Sequence, residues 1–171
     1  MKSALFRRSA TALAALVLLA TAAQAAQSVS LIGDFRDWSS YSTSDNGGPI
    51  CFAVSKPKSV QPMPDGYTQA YLYITHRQAQ NITNELNLVA GFNFAPDTPA
   101  TLDIGGQDFP LFTENDAAWL EDPAQAANLA GLIRAGSSLS IEGTSDKGIK
   151  IVENFSLSGA TAASRSIDGQ C

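Results

Sequence analysis

Residues 101–112 read TLDIGGQDFPLF, two arms rich in apolar residues on either side of Gly105-Gly106. A two-residue loop between antiparallel strands needs positive φ at its centre, which glycine adopts without steric cost. The stretch therefore predicts a β-hairpin, with strands over Thr101–Ile104 and Gln107–Phe112. Pro110 has no N–H to give a ladder, so the second arm is an edge strand or its pairing is broken there. A second hairpin follows the same logic, with Leu139–Thr144 and Ile149–Leu157 flanking Ser145-Asp146-Lys147-Gly148. Toward the N-terminus, Ile50–Val54, Gln69–Thr75 and Glu85–Phe92 are short runs of apolar, aromatic and β-branched residues, as strands prefer. Lys56–Gly66, with three prolines and a glycine, reads as a loop.

Helical signals are confined to the second half of the chain. Asp122 stands as an N-cap, Pro123 at the first helical position, and Gln125 where a capping box wants it. Leu129, Leu132 and Ile133 share one face, and Gly136 stops the helix, which spans about residues 123–135. A second, short helix is expected over Ala160–Ile167. Many short strands with few helices predict a mainly β fold, a β-sandwich.

The first 25 residues have the parts of a secretory signal. Lys2, Arg7 and Arg8 are a basic start, residues 10–23 are almost wholly apolar, and Ala23-Gln24-Ala25 offers small residues at a cleavage site. The apolar run is shorter than the roughly 18–20 residues that span a bilayer. The expected organisation is a signal peptide over 1–25 and one domain over 26–171. Removing Lys2, Arg7 and Arg8 leaves 8 basic against 16 acidic residues, a net charge of −8. A domain this acidic repels nucleic acid and anionic lipid, and no later segment is apolar for long enough to cross a membrane. Cys51 and Cys171 both lie in the exported part, where an oxidising compartment favours pairing them in a disulfide.

Residues that carry chemistry are sparse. The chain has one histidine, His76, so a hydrolytic triad would have to use it, and no G-x-S-x-G elbow presents a serine. His76 follows a strand-like run beside Arg77 and reads as a surface residue at a strand end. Ser55-Lys56-Pro57-Lys58 and Ser44-Asp45-Asn46 imitate elements of penicillin-recognising enzymes. Their order is reversed, however, and Ser55 opens a proline-rich loop rather than a helix. Glu114 and Asp116 form a carboxylate pair that suits solvation of a loop better than acid–base work. No cofactor motif is present, and two thiols with one histidine do not complete a zinc shell. Tyr71, Tyr73, His76 and Arg77 are the expected partner surface, drawn from a wider aromatic set that includes Tyr67, Trp38 and Trp119. Both tryptophans are expected in the core, Trp119 beneath the start of the helix.

The mature chain resembles the invasion-associated locus B family of small exported alphaproteobacterial proteins. The resemblance rests on Asp37-Trp38, on Cys51 through Lys58, on Tyr71 to Arg77 and on Asn84-Glu85. It continues through Gly105-Gly106, Phe109–Phe112, Asp116 through Leu120, Gly143-Thr144-Ser145, Phe155 through Gly159 and the terminal Cys171. It implies an immunoglobulin-like β-sandwich in the periplasm or cell envelope, linked in pathogenic members to entry into host cells. Founding members carry two cysteine pairs and this chain one, a departure that leaves the host-entry role unassigned. The family supplies no catalytic residues to carry over. The resulting expectation is a non-enzymatic envelope protein that binds a protein or another envelope component, with no cofactor. The alternatives are a small periplasmic hydrolase or ligand-binding enzyme using His76 or Glu114 and Asp116, and a structural stress protein of the envelope.

Overall fold

The computed structural model describes residues 28–171, so the expected signal segment 1–25 and the mature start at Ala26 lie outside the described residues. The described residues build eleven strands, and all of them join one antiparallel ladder. They are β1 (Ser30–Phe35), β2 (Trp38–Asp45), β3 (Gly48–Ser55), β4 (Ser59–Gln61), β5 (Tyr71–Arg77) and β6 (Ile82–Val89). The second half adds β7 (Ala100–Ile104), β8 (Gln107–Glu114), β9 (Ala117–Leu120), β10 (Ser138–Thr144) and β11 (Lys150–Ser156). Their spatial order is β1-β2-β3-β5-β6-β9-β8-β7-β10-β11-β4.

Side chains alternate across each strand, and the inward set forms one core. Trp38, Ala53, Leu72, Ile74, Leu86 and Leu88 from the first half pack with Leu102, Phe109, Leu111, Leu139, Ile141 and Phe155 from the second. The ladder thus curls over a single apolar interior as a β-sandwich, the fold class expected. Trp38 is fully buried, as expected, and its indole N–H donates to the Ser156 carbonyl at 2.9 Å, tying β2 to the end of β11.

Both hairpins form. Gly105 and Gly106 take φ of +64° and +81°, the paired positive values of a type I′ turn. Pro110 is not on an edge, since β8 lies between β7 and β9, but it marks a break in pairing. The β8–β9 ladder ends at Leu111–Leu120, and the Pro110 carbonyl still accepts from Glu121 N–H where proline has no donor to return.

Near residue 123 a 3-10 turn, Pro123–Gln125, leads into α1 (Ala126–Ala135). The Asp122 carboxylate accepts from Ala124 N–H at 3.0 Å as the cap requires, whereas Gln125 does not close a capping box and accepts from Asn128. Gly136 ends the helix in an extended conformation (ψ 172°), not a left-handed one. Its smallness matters through close approach, because a Cβ would lie 3.0 Å from both the Leu132 carbonyl oxygen and Leu157 Cδ1. The last helix, α2 (Ala160–Asp168), lays Ala160, Ala163 and Ile167 on the core and delivers Cys171 to β3.

Four strands depart from expectation. β1 and β2 occupy a stretch given no structure, β9 follows the β8 turn, and β4 lies inside the expected proline-rich loop. β4 pairs Ser59, Val60 and Gln61 with Asn154, Glu153 and Val152 of β11.

Candidate functional site: an aromatic outer face

The outward positions of seven adjacent strands make a continuous surface. Registers place Leu31, Tyr41, Phe52, Thr75 and Glu85 side by side across β1, β2, β3, β5 and β6. One step along, Ser39, Val54, Tyr73, Asn87, Trp119 and Phe112 form the next row, reaching β9 and β8. The aromatic rings are in mutual contact. Tyr41 stacks on Phe52 at 5.4 Å, Phe52 meets Tyr73 at 5.9 Å, and Trp119 stacks on Phe112 at 5.2 Å and 16°. Phe112 is 47 % exposed and Leu31 54 %. A run of solvent-facing apolar side chains of this kind is uncommon on a monomer.

The face is not flat. Between the Tyr41–Phe52 stack and the Trp119–Phe112 stack lies a hollow of about 420 Å³, formed by Ile50, Phe52, Tyr73, Thr75, Asn87, Val89, Trp119 and the Arg77–Glu85 pair. Its centre is low because Thr75 and Asn87 are small next to the rings around them. Arg77 Nε lies 3.5 Å from Glu85 Oε2, yet it makes no hydrogen bond and is shielded from solvent. Outside this hollow, Lys56 Nζ stands 5.6 Å from the centre of the Tyr71 ring, a cation–π contact, and both residues line a separate hollow with Tyr41 and Val54. Trp119 also walls a second groove of about 530 Å³, between the start of β6, Phe112 and the entry to α1.

Of the residues expected on a partner surface, Tyr71, Tyr73 and Arg77 face outward together. His76 does not. It is 5 % exposed and points inward, in register with Cys51, with Nε2 3.6 Å from Asp168 Oδ1 at the end of α2. Its strand is central rather than peripheral, and α2 packs over that end of it. Burial lowers the His76 pKa below its ordinary value, against the smaller opposing pull of Asp168 and a hydrogen bond with Asn84. Glu114 and Asp116 are both exposed, at the β8–β9 turn beside Val89 and at the far end of the sheet rows from His76. Asp116 lines a polar hollow with Asp65, Asp146 and Lys147, while Glu114 and His76 line neither that hollow nor the two beside Trp119. The three side chains proposed for hydrolysis therefore do not converge. Among the described residues no cluster of three or more His, Cys, Asp or Glu could hold a metal ion, and no helix is long and apolar enough to cross a membrane.

Trp119 is half-buried on the outer face rather than under the helix. The signal was available, because Ala118 and Leu120 are the buried residues of β9, and a period of two sends Trp119 the other way. Phe112 and Phe52 face outward by the same alternation, which apolar content alone does not reveal, and Tyr41 lies in β2, a strand not expected from the sequence.

No family model matches the chain, and no curated protein matches it in sequence. A solved structure does match. Invasion associated protein B from Bartonella henselae superposes with a TM-score of 0.56, covering 81% of this chain and 96% of that one, at 16% identity. The chain has the fold of invasion associated protein B. At that identity the likeness is one of architecture, in accord with the fold that the sequence resemblance implied. The Cys51–Cys171 disulfide, with its Cα atoms 5.8 Å apart, is compatible with an exported protein.

Proposed function

We propose that this chain is an exported, non-enzymatic protein of the cell envelope, of the invasion-associated locus B kind, which binds another protein through the aromatic outer face of β2, β3, β5, β6, β9 and β8. The observation that carries the reading is the contact series Tyr41–Phe52–Tyr73 on one side and Trp119–Phe112 on the other, around a shallow hollow. Aromatic side chains with low conformational freedom and nearby polar groups are the common anchors of protein interfaces. A carbohydrate partner is less well served. Sugar rings lie on open aromatic faces, and both stacks here turn ring faces toward each other.

Export is supported by the signal-like N-terminus and the disulfide. The periplasm or cell surface follows as the site of action, with residues 26–171 as the working domain. A link to host-cell interaction rests on the neighbour's name alone. The test is affinity capture from envelope extracts with the oxidised protein, run beside a Phe52→Ser/Trp119→Ser variant. Proteins recovered by the wild type and lost with the variant support the reading. An identical set recovered by both rules out the aromatic face.

A further inference from the structure

The cations of this acidic domain are unevenly placed. Of the eight basic residues after position 25, Arg36, Lys56 and Lys58 line one hollow of about 510 Å³, with Asp37 as the single acid in its wall. Tyr41 and Tyr71 also line it, and it is distinct from the hollow over Thr75 and Asn87. We infer that this hollow binds the phosphoryl group of a small organic phosphate. Tyr41 is shared with the aromatic face, but the site does not depend on the reading given to that face.

The two segments that carry the cations are fixed to each other and to the body of the fold. Ser55 Oγ donates to the Asp37 carbonyl at 2.7 Å, and Asp37 N–H donates to the Ser158 carbonyl at 3.2 Å. Arg36 holds a left-handed φ of +59°, an uncommon conformation for a residue with a side chain. Gly159 lets this turn sit close, since a Cβ there would lie 1.7 Å from the Phe35 carbonyl oxygen. Pro57 stiffens the link between the two lysines, and Lys58 N–H donates to the Asn154 carbonyl at 2.7 Å. A frame fixed in this way leaves only side chains to be ordered when a ligand arrives. The S-x-x-K run at Ser55–Lys58, which lacks the helix its enzymatic counterpart needs, thus forms one wall of a binding hollow.

Charge selects the ligand. Lys58 Nζ is paired with Asp37 Oδ1, and Arg36 donates one N–H to Ser158 Oγ at 3.3 Å. Three cations against one carboxylate leave two positive charges, which a phosphomonoester dianion balances and a single carboxylate does not. Asp34 accepts from the Ser39 hydroxyl and does not line the hollow. Size separates a small phosphate from a polyanion. Nucleic acid or an anionic bilayer meets the whole domain, with its net charge of −8. A small molecule inside the hollow responds chiefly to charges within the ~8–10 Å that salt leaves unscreened. The volume also falls within the roughly 300–1,000 Å³ of small-molecule sites.

The experiment titrates phenyl phosphate into the oxidised, isotope-labelled protein at low salt, following amide shifts and measuring affinity by calorimetry. Saturable binding is expected, with shifts clustered at residues 36–41, 54–58 and 71. Arg36→Gln and Lys56→Gln, both at exposed positions, should each weaken binding about tenfold, the scale of one charge-assisted hydrogen bond. Lys147→Gln, which removes a cation from the polar hollow beside Asp116, should leave it unchanged. Urea midpoints measured alongside confirm that each variant is folded when its affinity is read. Succinate binding as tightly as phenyl phosphate would overturn the phosphate assignment. Binding to phosphatidylglycerol vesicles without binding to phenyl phosphate would overturn the small ligand. No saturation at millimolar phenyl phosphate, or equal affinity in the wild type and both hollow variants, would overturn the site.

Discussion

Cys171, the final residue, is bonded to Cys51 in the middle of β3, which closes a loop of 120 residues across the whole sandwich. Cys51 is 1 % exposed and stands next to inward-facing His76, so the bridge pins the end of α2 over the least accessible part of the sheet. A link over this separation constrains the unfolded chain by about 4–5 kcal/mol at most on the loop-entropy account. A Cys51→Ser/Cys171→Ser variant is expected to unfold at a clearly lower urea concentration than the oxidised wild type. Reducing agent should shift the wild type to the same midpoint and leave the variant where it is. Equal midpoints for oxidised wild type and variant would mean that the bridge contributes nothing to stability.

His76 sets a lower pH limit. Its folded pKa is depressed by burial, so the folded state binds a proton less readily than the unfolded chain. The stability this contributes is present above the unfolded value of about 6.5 and is lost as pH falls through the lower folded value. His76→Gln is expected to unfold with a midpoint that changes less between pH 7 and pH 5 than that of the wild type. Parallel curves for the two proteins would show that the imidazole is not what limits acid stability.

The parts of the fold legible in sequence were those fixed by local chemistry. Gly105-Gly106 turns the chain whatever surrounds it, and Asp122-Pro123 starts a helix by the same local logic. β2 was hidden because its inward positions are not uniformly apolar. Ser40 is fully buried there and donates to the Ala163 carbonyl of α2, a tertiary bond that no pattern within residues 38–45 announces. His76 was misplaced for a related reason: its burial depends on α2, which arrives from more than eighty residues away. The aromatic face was legible in composition but not in side. Tyr71 and Tyr73 share a face by simple alternation, whereas Trp119 and Phe112 join them only through the pairing of β6 with β9 and β9 with β8.

Binding gives a third prediction. Trp119→Ala removes the ring that walls the hollow and should weaken the captured partner at least tenfold, the scale of an interface hot spot. Thr101→Ala, on exposed β7 surface, should leave affinity unchanged. Because Trp119 also stacks on Phe112, the variant is expected to lose about 1 kcal/mol of stability from the stacked pair, in addition to the lost burial of the ring. Affinity measured by calorimetry beside a urea titration separates the two effects; unchanged affinity would remove Trp119 from the interface.

Glu153 gives the fourth, at the opposite end of the pH range from His76. Period-two alternation puts it on the same inward face of β11 as Ile151 and Phe155, and it is 1 % exposed with neither carboxylate oxygen hydrogen-bonded. Val60 of β4 and Ile141 of β10 flank it in register, and Glu142 and Lys150 pair with each other on the exposed side. Burial alone pushes its pKa up to about 8, because nothing nearby compensates the charge. The sign is therefore opposite to that of a paired carboxylate. The unfolded chain ionises first, near 4.5, so stability is highest below that pH and falls as pH rises toward 8. The loss is on the order of 4 kcal/mol across that window. Glu153→Gln keeps the shape and removes the titration. Its urea midpoint should exceed that of the wild type at pH 8, and the gap should close or reverse at pH 5. If both proteins lost stability equally between those pH values, Glu153 would have to be reaching water or a proton donor in the folded state.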